Sequence, residues 1–289
     1  MDLLSLSITL RAILPREVTI TKLWIGRIAA LVVGLLVALL YAPTARWLVL
    51  AWLQDPYYSH GWLVLPVAAI LAWRNRAAWR RGAPDNAGLL LLSLGVALYA
   101  LGWLLSAPFG VAFSLLPVLG GLAWTFLGPH AARALAFPIV FLGFAIPLPW
   151  VEIWTVPLES LTAGWAAGLV HMAGLPVAVV GGEVHLVSCD VVVGAACSGM
   201  RSLVALLTLG TLIACLFRGQ WWLRLVIVAA TLPLALVANV LRVALILAAA
   251  HFSGGEVAGL LHDLVSPVFF LAALGALLLL SWGLGLRWE

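Results

Sequence analysis

VVVGAACSGMRSLVALLTLG, residues 191–210, passes from a short β-branched run into a long apolar helix through Gly194 and Ser198-Gly199, and it sets one thiol, Cys197, at the junction. Arg201 follows four residues on, and positions i and i+4 share a helix face. A thiol at a helix N-terminus beside a guanidinium is the setting that favours thiolate, because the helix dipole and the fixed positive charge both stabilise the anion. Cys197 is therefore a candidate nucleophile. A lone cysteine in an apolar chain otherwise behaves as a small hydrophobe, so this assignment rests on what the rest of the chain brings to it.

The surroundings of that stretch are those of a membrane protein. Of 289 residues, 65% are hydrophobic and 9% charged, and the mean hydropathy is +1.16, whereas an ordinary soluble domain carries roughly a quarter of its residues charged. Apolar stretches of about 20 residues recur from the thirties onward, which means helices rather than a barrel. The net charge of +4 is no nucleic-acid signal, since the basic residues sit in short loops between apolar runs and so set membrane topology.

Taken outward from Cys197, the pattern predicts an all-α polytopic membrane protein of about eight transmembrane helices with a small extracytoplasmic β-hairpin, as one domain over residues 1–289. Residues 1–27 read as a cytoplasmic or interfacial lead-in without a cleavable signal. Spans are expected at about 28–43, 62–73, 88–105, 111–127, 134–146, 198–217, 225–250 and 264–284. Residues 147–197 form an extracytoplasmic section, an amphipathic helix from Trp150 to His171 followed by two β-branched runs flanking Gly181-Gly182, the latter a hairpin signature. Arg74, Arg76, Arg80, Arg81, Arg133, Arg218 and Arg224 then fall on the cytoplasmic side, while Asp55, Glu152, Glu159, Glu183, Asp190, Glu256 and Asp263 fall outside, as the positive-inside rule requires. Arg46, Arg201 and Arg242 depart from that pattern.

Arg242 lies nine residues before His251 on the seventh span, about 13 Å below its outer end at 1.5 Å per residue. An arginine at that depth must face the bundle interior and have a partner. Asn239 precedes it by three residues, on the same face. His262 opens the eighth span, and an imidazole supplies the base and acid that a cysteine acyl-transfer enzyme needs near neutral pH. Cys197, Arg242 and His262 thus converge at the outer ends of three consecutive spans. His60, in DPYYSHGW, is on the outer side, where it lines a substrate groove or starts a helix. Cys189, eight residues before Cys197, is either a packed hairpin residue or a thiol close enough to pair with the nucleophile. Cys215 reads as packing, and the remaining histidines lack metal-ligand spacing, so neither metal nor cofactor is expected.

ACSGMRSL, LVANVLR and the histidine after an outer loop, with DPYYSHGWLVLPVAAILAWRNR and FPIVFLGFAIPLP upstream, resemble the exosortase/archaeosortase family of membrane-embedded cysteine transpeptidases from about Trp52 to about Phe270. The resemblance implies a Cys197, Arg242, His262 site with Arg201 in the cysteine motif. It also implies membrane-anchored protein substrates whose C-terminal sorting signal is a short Pro-containing motif, a transmembrane helix and a basic cluster, in bacteria that export polysaccharide.

The expectation is an inner-membrane protein with cytoplasmic termini and its site on the periplasmic face. Cys197 attacks the sorting motif to form a thioester, His262 transfers protons, Arg242 holds the developing oxyanion, and Arg201, Asn239, His60 and Ser198 contact substrate. An amine acceptor or water then releases the acyl group. Partners are the protein substrate, the acceptor and the bilayer, with no nucleic acid. The rival reading is a transporter or flippase-like component of polysaccharide export with Arg242 as its anion site.

Overall fold

The computed structural model describes residues 28–288 apart from 30, 80–82, 188, 195 and 196. The lead-in and the arginines at 80 and 81 lie outside the described residues. Packing divides the chain into two compact units, Met1–Gln54 with Gly61–Ile146 and Asp55–His60 with Pro147–Glu289.

The first unit contains α1 (Leu31–Leu40), which meets α2 (Ala42–Gln54) at a 55° bend, then α3 (Gly61–Arg74), the single turn α4 (Arg76–Trp79), α5 (Gly88–Leu104) and α6 (Pro108–Phe141), closed by a 3₁₀ turn at Leu142–Ala145. Gly88, Gly95 and Gly102 recur every seven residues on α5, and a Cβ on each would lie 2.5, 2.8 and 2.6 Å from the backbone nitrogens of Thr125, Val118 and Val111 on α6. Glycine inside a helix costs about 1 kcal/mol relative to alanine, and here it permits the close backbone approach through which helices associate in lipid. α6 itself is broken at Gly128 (φ 85°, ψ 171°). Pro129 follows the break, where its fixed φ and missing N–H suit the first turn of the second arm.

In the second unit, α9 (Trp221–Ser253) packs against α7 (Trp150–Met172), α8 (Met200–Leu216) and α10 (Gly255–Gly283). The expected hairpin at Gly181-Gly182 is present, and it is extended to a three-stranded antiparallel sheet of β1 (Val177–Val180), β2 (Glu183–Leu186) and β3 (Asp190–Val192) in the order β1-β2-β3. Val177 faces Leu186 and Glu183 faces Val192. The sheet buries Val184, Leu186 and Val193 with Ala163, Ala166 and Val170 of α7 and Val243, Ile246 and Leu247 of α9. A second core below joins Leu206 and Ile213 of α8, Ile227 and Ala235 of α9 and Ala273 and Leu277 of α10. The two-stranded pair β4 (Phe217–Arg218) and β5 (Arg287–Trp288) ties the end of α8 to the chain after α10.

The span count differs from the expectation. By length and apolarity, Pro108–Ala145, Trp221–Ser253 and Gly259–Gly283 qualify to cross a membrane, with a fourth if α1 and α2 count as one bent span. α3, α5 and α8 have 14, 17 and 17 residues, short of the roughly 20 that cross the hydrocarbon core. Eight apolar runs are thus three or four established span candidates. The seventh and eighth runs are separated by little loop, because α9 continues to Ser253 and α10 begins at Gly255, after Gly254 at φ 82°.

Candidate active site

Cys197 sits in the turn between β3 and α8, its N–H donated to the Gly194 carbonyl at 2.7 Å. α8 starts only at Met200, after Gly199 at φ 81°. The thiol is therefore three residues ahead of the helix, and the i, i+4 relation to Arg201 expected from the sequence does not form. Arg201 is exposed, and its charge reaches Arg242. Burial pushes the Cys197 thiol up from its ordinary 9.0, the Arg242 guanidinium pulls it back down, and the Glu159 carboxylate pushes it up. The resting group is the thiol, where the sequence suggested a thiolate, because desolvation outweighs the nearby cation.

The loop that carries Cys197 is held by Asn239. Its Nδ2 donates to the Cys197 carbonyl at 3.0 Å and to Thr162 Oγ1 at 3.1 Å. A carbonyl only accepts, so this bond fixes which end of the amide faces the loop. Gly199 completes the clamp, since a Cβ there would lie 2.5 Å from Asn239 Cγ in a backbone conformation that already excludes most side chains. These two bonds make Asn239, expected from the sequence to touch substrate, a brace between α7, α9 and the Cys197 loop. Ser198 is 1% exposed and its Oγ accepts the Met200 N–H at 3.3 Å, so it starts α8 instead of facing outward.

Arg242 is buried at 7% exposure, as an intramembrane arginine should be. Its Nη1 donates to Ser266 Oγ at 3.4 Å, and Ser266 donates to the His262 carbonyl one turn earlier on α10. A void of about 10 Å³ lies beside Arg242, lined on its polar side by Ser202, Asn239 and Ser266, room for about one water. His262 lies two turns inside α10, not at its start. Its Nδ1 faces Asp263 Oδ1 at 3.1 Å, which favours the tautomer with the proton on Nδ1 and the lone pair on Nε2. Nε2 is buried and, among the described residues, makes no hydrogen bond. Asn239 of α9 thus holds the Cys197 carbonyl, and Arg242, three residues on, reaches through Ser266 to the His262 carbonyl of α10.

His60 belongs by packing to this second unit and stacks on Tyr58 with centroids 6.0 Å apart. Tyr58 is pinned where it accepts the Leu148 N–H at 2.9 Å. Among the described residues Cys189, Cys197 and Cys215 form no disulfide with one another. Cys189 packs on the upper core and points its S–H at the Ala250 carbonyl, 3.8 Å away, which is the packing role and not a bond to Cys197.

Three polar residues of the site were not singled out from the sequence. Thr162 and Ser266 each look like ordinary helix-interior hydroxyls, and only the register between helices gives them partners. Glu159 stands one turn before Thr162 on α7, with its Cβ 4.0 Å from a Cβ built on Gly182 in the β1–β2 turn and its charge reaching Cys197. Its one sequence signal was a carboxylate on a face otherwise made of Thr155, Thr162, Ala163 and Ala166.

A helical, strongly apolar chain with a thiol, a buried arginine and a histidine on adjoining elements defines a membrane protein with a polar site inside an apolar helix bundle. The chain belongs to the transmembrane exosortase family, whose model it matches over residues 52–279. No curated protein and no solved structure matches it. The family match spans Cys197, Arg242 and His262 and agrees with the extent of the motif resemblance.

Proposed function

We propose that the protein is a membrane-embedded cysteine transpeptidase or protease that cleaves C-terminal sorting signals of exported proteins through a thioester on Cys197. The observation that supports this reading is the Arg242 charge reaching the Cys197 sulfur, beside the Asn239 bond to the Cys197 carbonyl and the Arg242–Ser266 bond next to His262. A buried neutral thiol needs a base at the moment of attack. His262 Nε2 is that base: the Asp263 contact leaves its lone pair uncommitted. Proton transfer from Cys197 creates a thiolate that Arg242 stabilises, and the same guanidinium then faces the oxyanion as the thiolate adds to the substrate carbonyl. His262 returns the proton to the leaving amine. The thioester is released to an amine acceptor or to water.

The substrate is a membrane-anchored protein with a short Pro-containing motif, a transmembrane helix and a basic cluster. The setting is the bacterial inner membrane, with both termini cytoplasmic and the site periplasmic.

Co-expression with a tail-anchored candidate substrate and mass analysis of its new C-terminus tests the reading. Wild type yields a truncated or transferred product, while Cys197→Ser inserts into the membrane and leaves the substrate whole. Cleavage at the wild-type rate by Cys197→Ser overturns it.

A further inference from the structure

At Gly128 the path of α6 breaks, and its second arm folds back until Leu116 Cδ1 lies 3.5 Å from a Cβ built on Gly143. Two prolines leave carbonyls without their helical donors, and both carbonyls are taken from outside the helix. The Thr125 carbonyl, left open because Pro129 has no N–H, accepts the Asp85 N–H at 3.2 Å. The Ala134 carbonyl, left open by Pro138, accepts Asn75 Nδ2 at 2.8 Å. The second arm is thus pinned from other segments, and the residues between the arms are too small to close the gap. Gly120 has no side chain, and Ala132 and Ala136 have one carbon each. The result is a cavity of about 400 Å³ between the arms, with Leu91 of α5 against it, within the size range of small-molecule sites.

The cavity is polarised along its length. Toward Leu116 and Val140 its lining is apolar, while the end near the break carries Trp124 and Arg133, the one charged residue lining it among the described residues. Asp85 also sits at that end, but both its oxygens are engaged, Oδ2 by Trp124 Nε1 and Oδ1 by the Ala87 N–H, each at 3.0 Å. Arg133 is exposed and, among the described residues, enters no ion pair. Asn75, bonded to the carbonyl of the next residue, brings its chain neighbours Arg74 and Arg76 to the same end. The cavity therefore ends in positive charge, and it is open along Ala136 and Val140, both exposed. An acyl chain with an anionic head matches that profile, and a transmembrane helix does not. From Arg133 to Val140 is about 10 Å at 1.5 Å per residue, and a helix about 10 Å across would need roughly 800 Å³ over that length, twice the room present. The basic cluster of a sorting signal would also meet Arg133 with like charge.

We propose that the cleft of α6 binds an anionic phospholipid, with one acyl chain between the arms and the headgroup phosphate on Arg133. The chain supplies contacts that the cavity wall lacks, and the planar guanidinium can give the phosphate two parallel hydrogen bonds. Basic pockets between membrane helices select anionic headgroups in this way. The site lies within the first unit and is independent of the thiol chemistry.

For the test, full-length protein is reconstituted in phosphatidylcholine vesicles holding a small fraction of phosphatidylglycerol with a photoreactive diazirine in one acyl chain. After illumination the adducts are mapped by peptide mass analysis. They should concentrate on residues 116–124 and 132–140. In Arg133→Gln that labelling should drop about tenfold, the scale of one lost charge-assisted hydrogen bond, to the level that a phosphatidylcholine probe gives in wild type. Ala136→Phe, which fills the cleft from an exposed position, should remove the adduct with both heads. Excess inorganic phosphate, compared with chloride at equal ionic strength, should leave the adduct intact, and its loss would assign Arg133 to a free anion and overturn the lipid site. The wild-type map decides without either variant: adducts spread evenly over the helices, or equal labelling by the two heads, overturn the site. An unchanged map in Ala136→Phe does the same. Displacement of the probe by an equimolar transmembrane peptide ending in lysines hands the cleft to a protein helix and overturns it as well.

Discussion

Helices α5 and α6 in one unit, and α7 and α9 in the other, both bring apolar helices close, but with different residues. The α5–α6 contact is a glycine seam, Gly88, Gly95 and Gly102 set against backbone. The α7–α9 contact is built from Ala163, Ala166 and Ala167 against Val240, Val243 and Leu247, with Thr162 and Asn239 hydrogen-bonded inside it. A glycine seam fixes a partner and carries no chemistry. The second seam buries polar groups that cost free energy unless bonded, and the bond it makes beyond itself is to the carbonyl of Cys197. Along the α7–α9 seam, polar burial marks where the Cys197 loop is held.

If that distinction is right, the largest losses come from the polar seam's chemical end. Arg242→Lys keeps the charge but replaces a planar fork with a point charge, and processing of a tail-anchored substrate should fall by about 100-fold, the usual cost of losing an oxyanion donor. Full activity in the lysine variant would reduce Arg242 to a generic counter-charge. Because Arg242 also lowers the Cys197 thiol against its burial, Arg242→Leu should move the thiol's alkylation profile to higher pH. An iodoacetamide rate profile measures this, and a shift in the acid direction would contradict the electrostatics.

The brace comes next. Gly199→Ala introduces a Cβ into Asn239 at a positive φ, and Asn239→Leu removes both donated bonds. Each should cost about 1–3 kcal/mol of stability and slow acylation of Cys197 in the fraction that remains folded. By contrast, Gly95→Ala, whose Cβ would press on Val118, should cost a similar 1–3 kcal/mol through overpacking and leave acylation per folded molecule unchanged. Thermal unfolding and the nitrophenol burst from a p-nitrophenyl acyl ester, measured on the same samples, keep the two effects apart. A glycine-seam variant that slows acylation would erase the contrast.

Much of this was legible in the sequence, and the reasons differ by residue. Arg242 announced itself because a charge within an apolar run must be paired, and the structure buries it against Ser266. Gly181-Gly182 between β-branched runs gave the hairpin, and the β-branched run before Gly194 was visible too, but its pairing as β3 with β2 was not. The family was legible from the cysteine and arginine motifs. Arg201 was placed beside the thiol because helical spacing was applied from Cys197, whereas Gly199 in the left-handed region delays the helix to Met200. Hydropathy reads eight spans, of which three or four qualify by helix length as well, because hydropathy sees apolar composition and not where a helix such as α3, α5 or α8 ends. Ser266, Thr162 and Glu159 acquire meaning only from the register of α7 and α10 on α9, which no local pattern encodes.

The smallest expected effect concerns Tyr58, an anchor in the second unit that follows the polar rule away from the helices. Its hydroxyl accepts the Leu148 N–H at 2.9 Å while the ring is 2% exposed. Burial pushes the phenol up to about 12, the Leu148 bond draws it down, and Asp55 and Glu152 raise it again. The folded state thus prefers the neutral phenol more than the unfolded chain does. The stability this contributes is complete below the ordinary value of 10.0 and is lost as pH climbs toward about 12. Tyr58→Phe should lower stability by about 1 kcal/mol at neutral pH, the net worth of one hydrogen bond, and should flatten the decline in unfolding midpoint above pH 10 relative to wild type. An undiminished alkaline decline in Tyr58→Phe would move that titration to another group and leave Tyr58 a packing residue, in which case the polar rule would hold only along the α7–α9 seam.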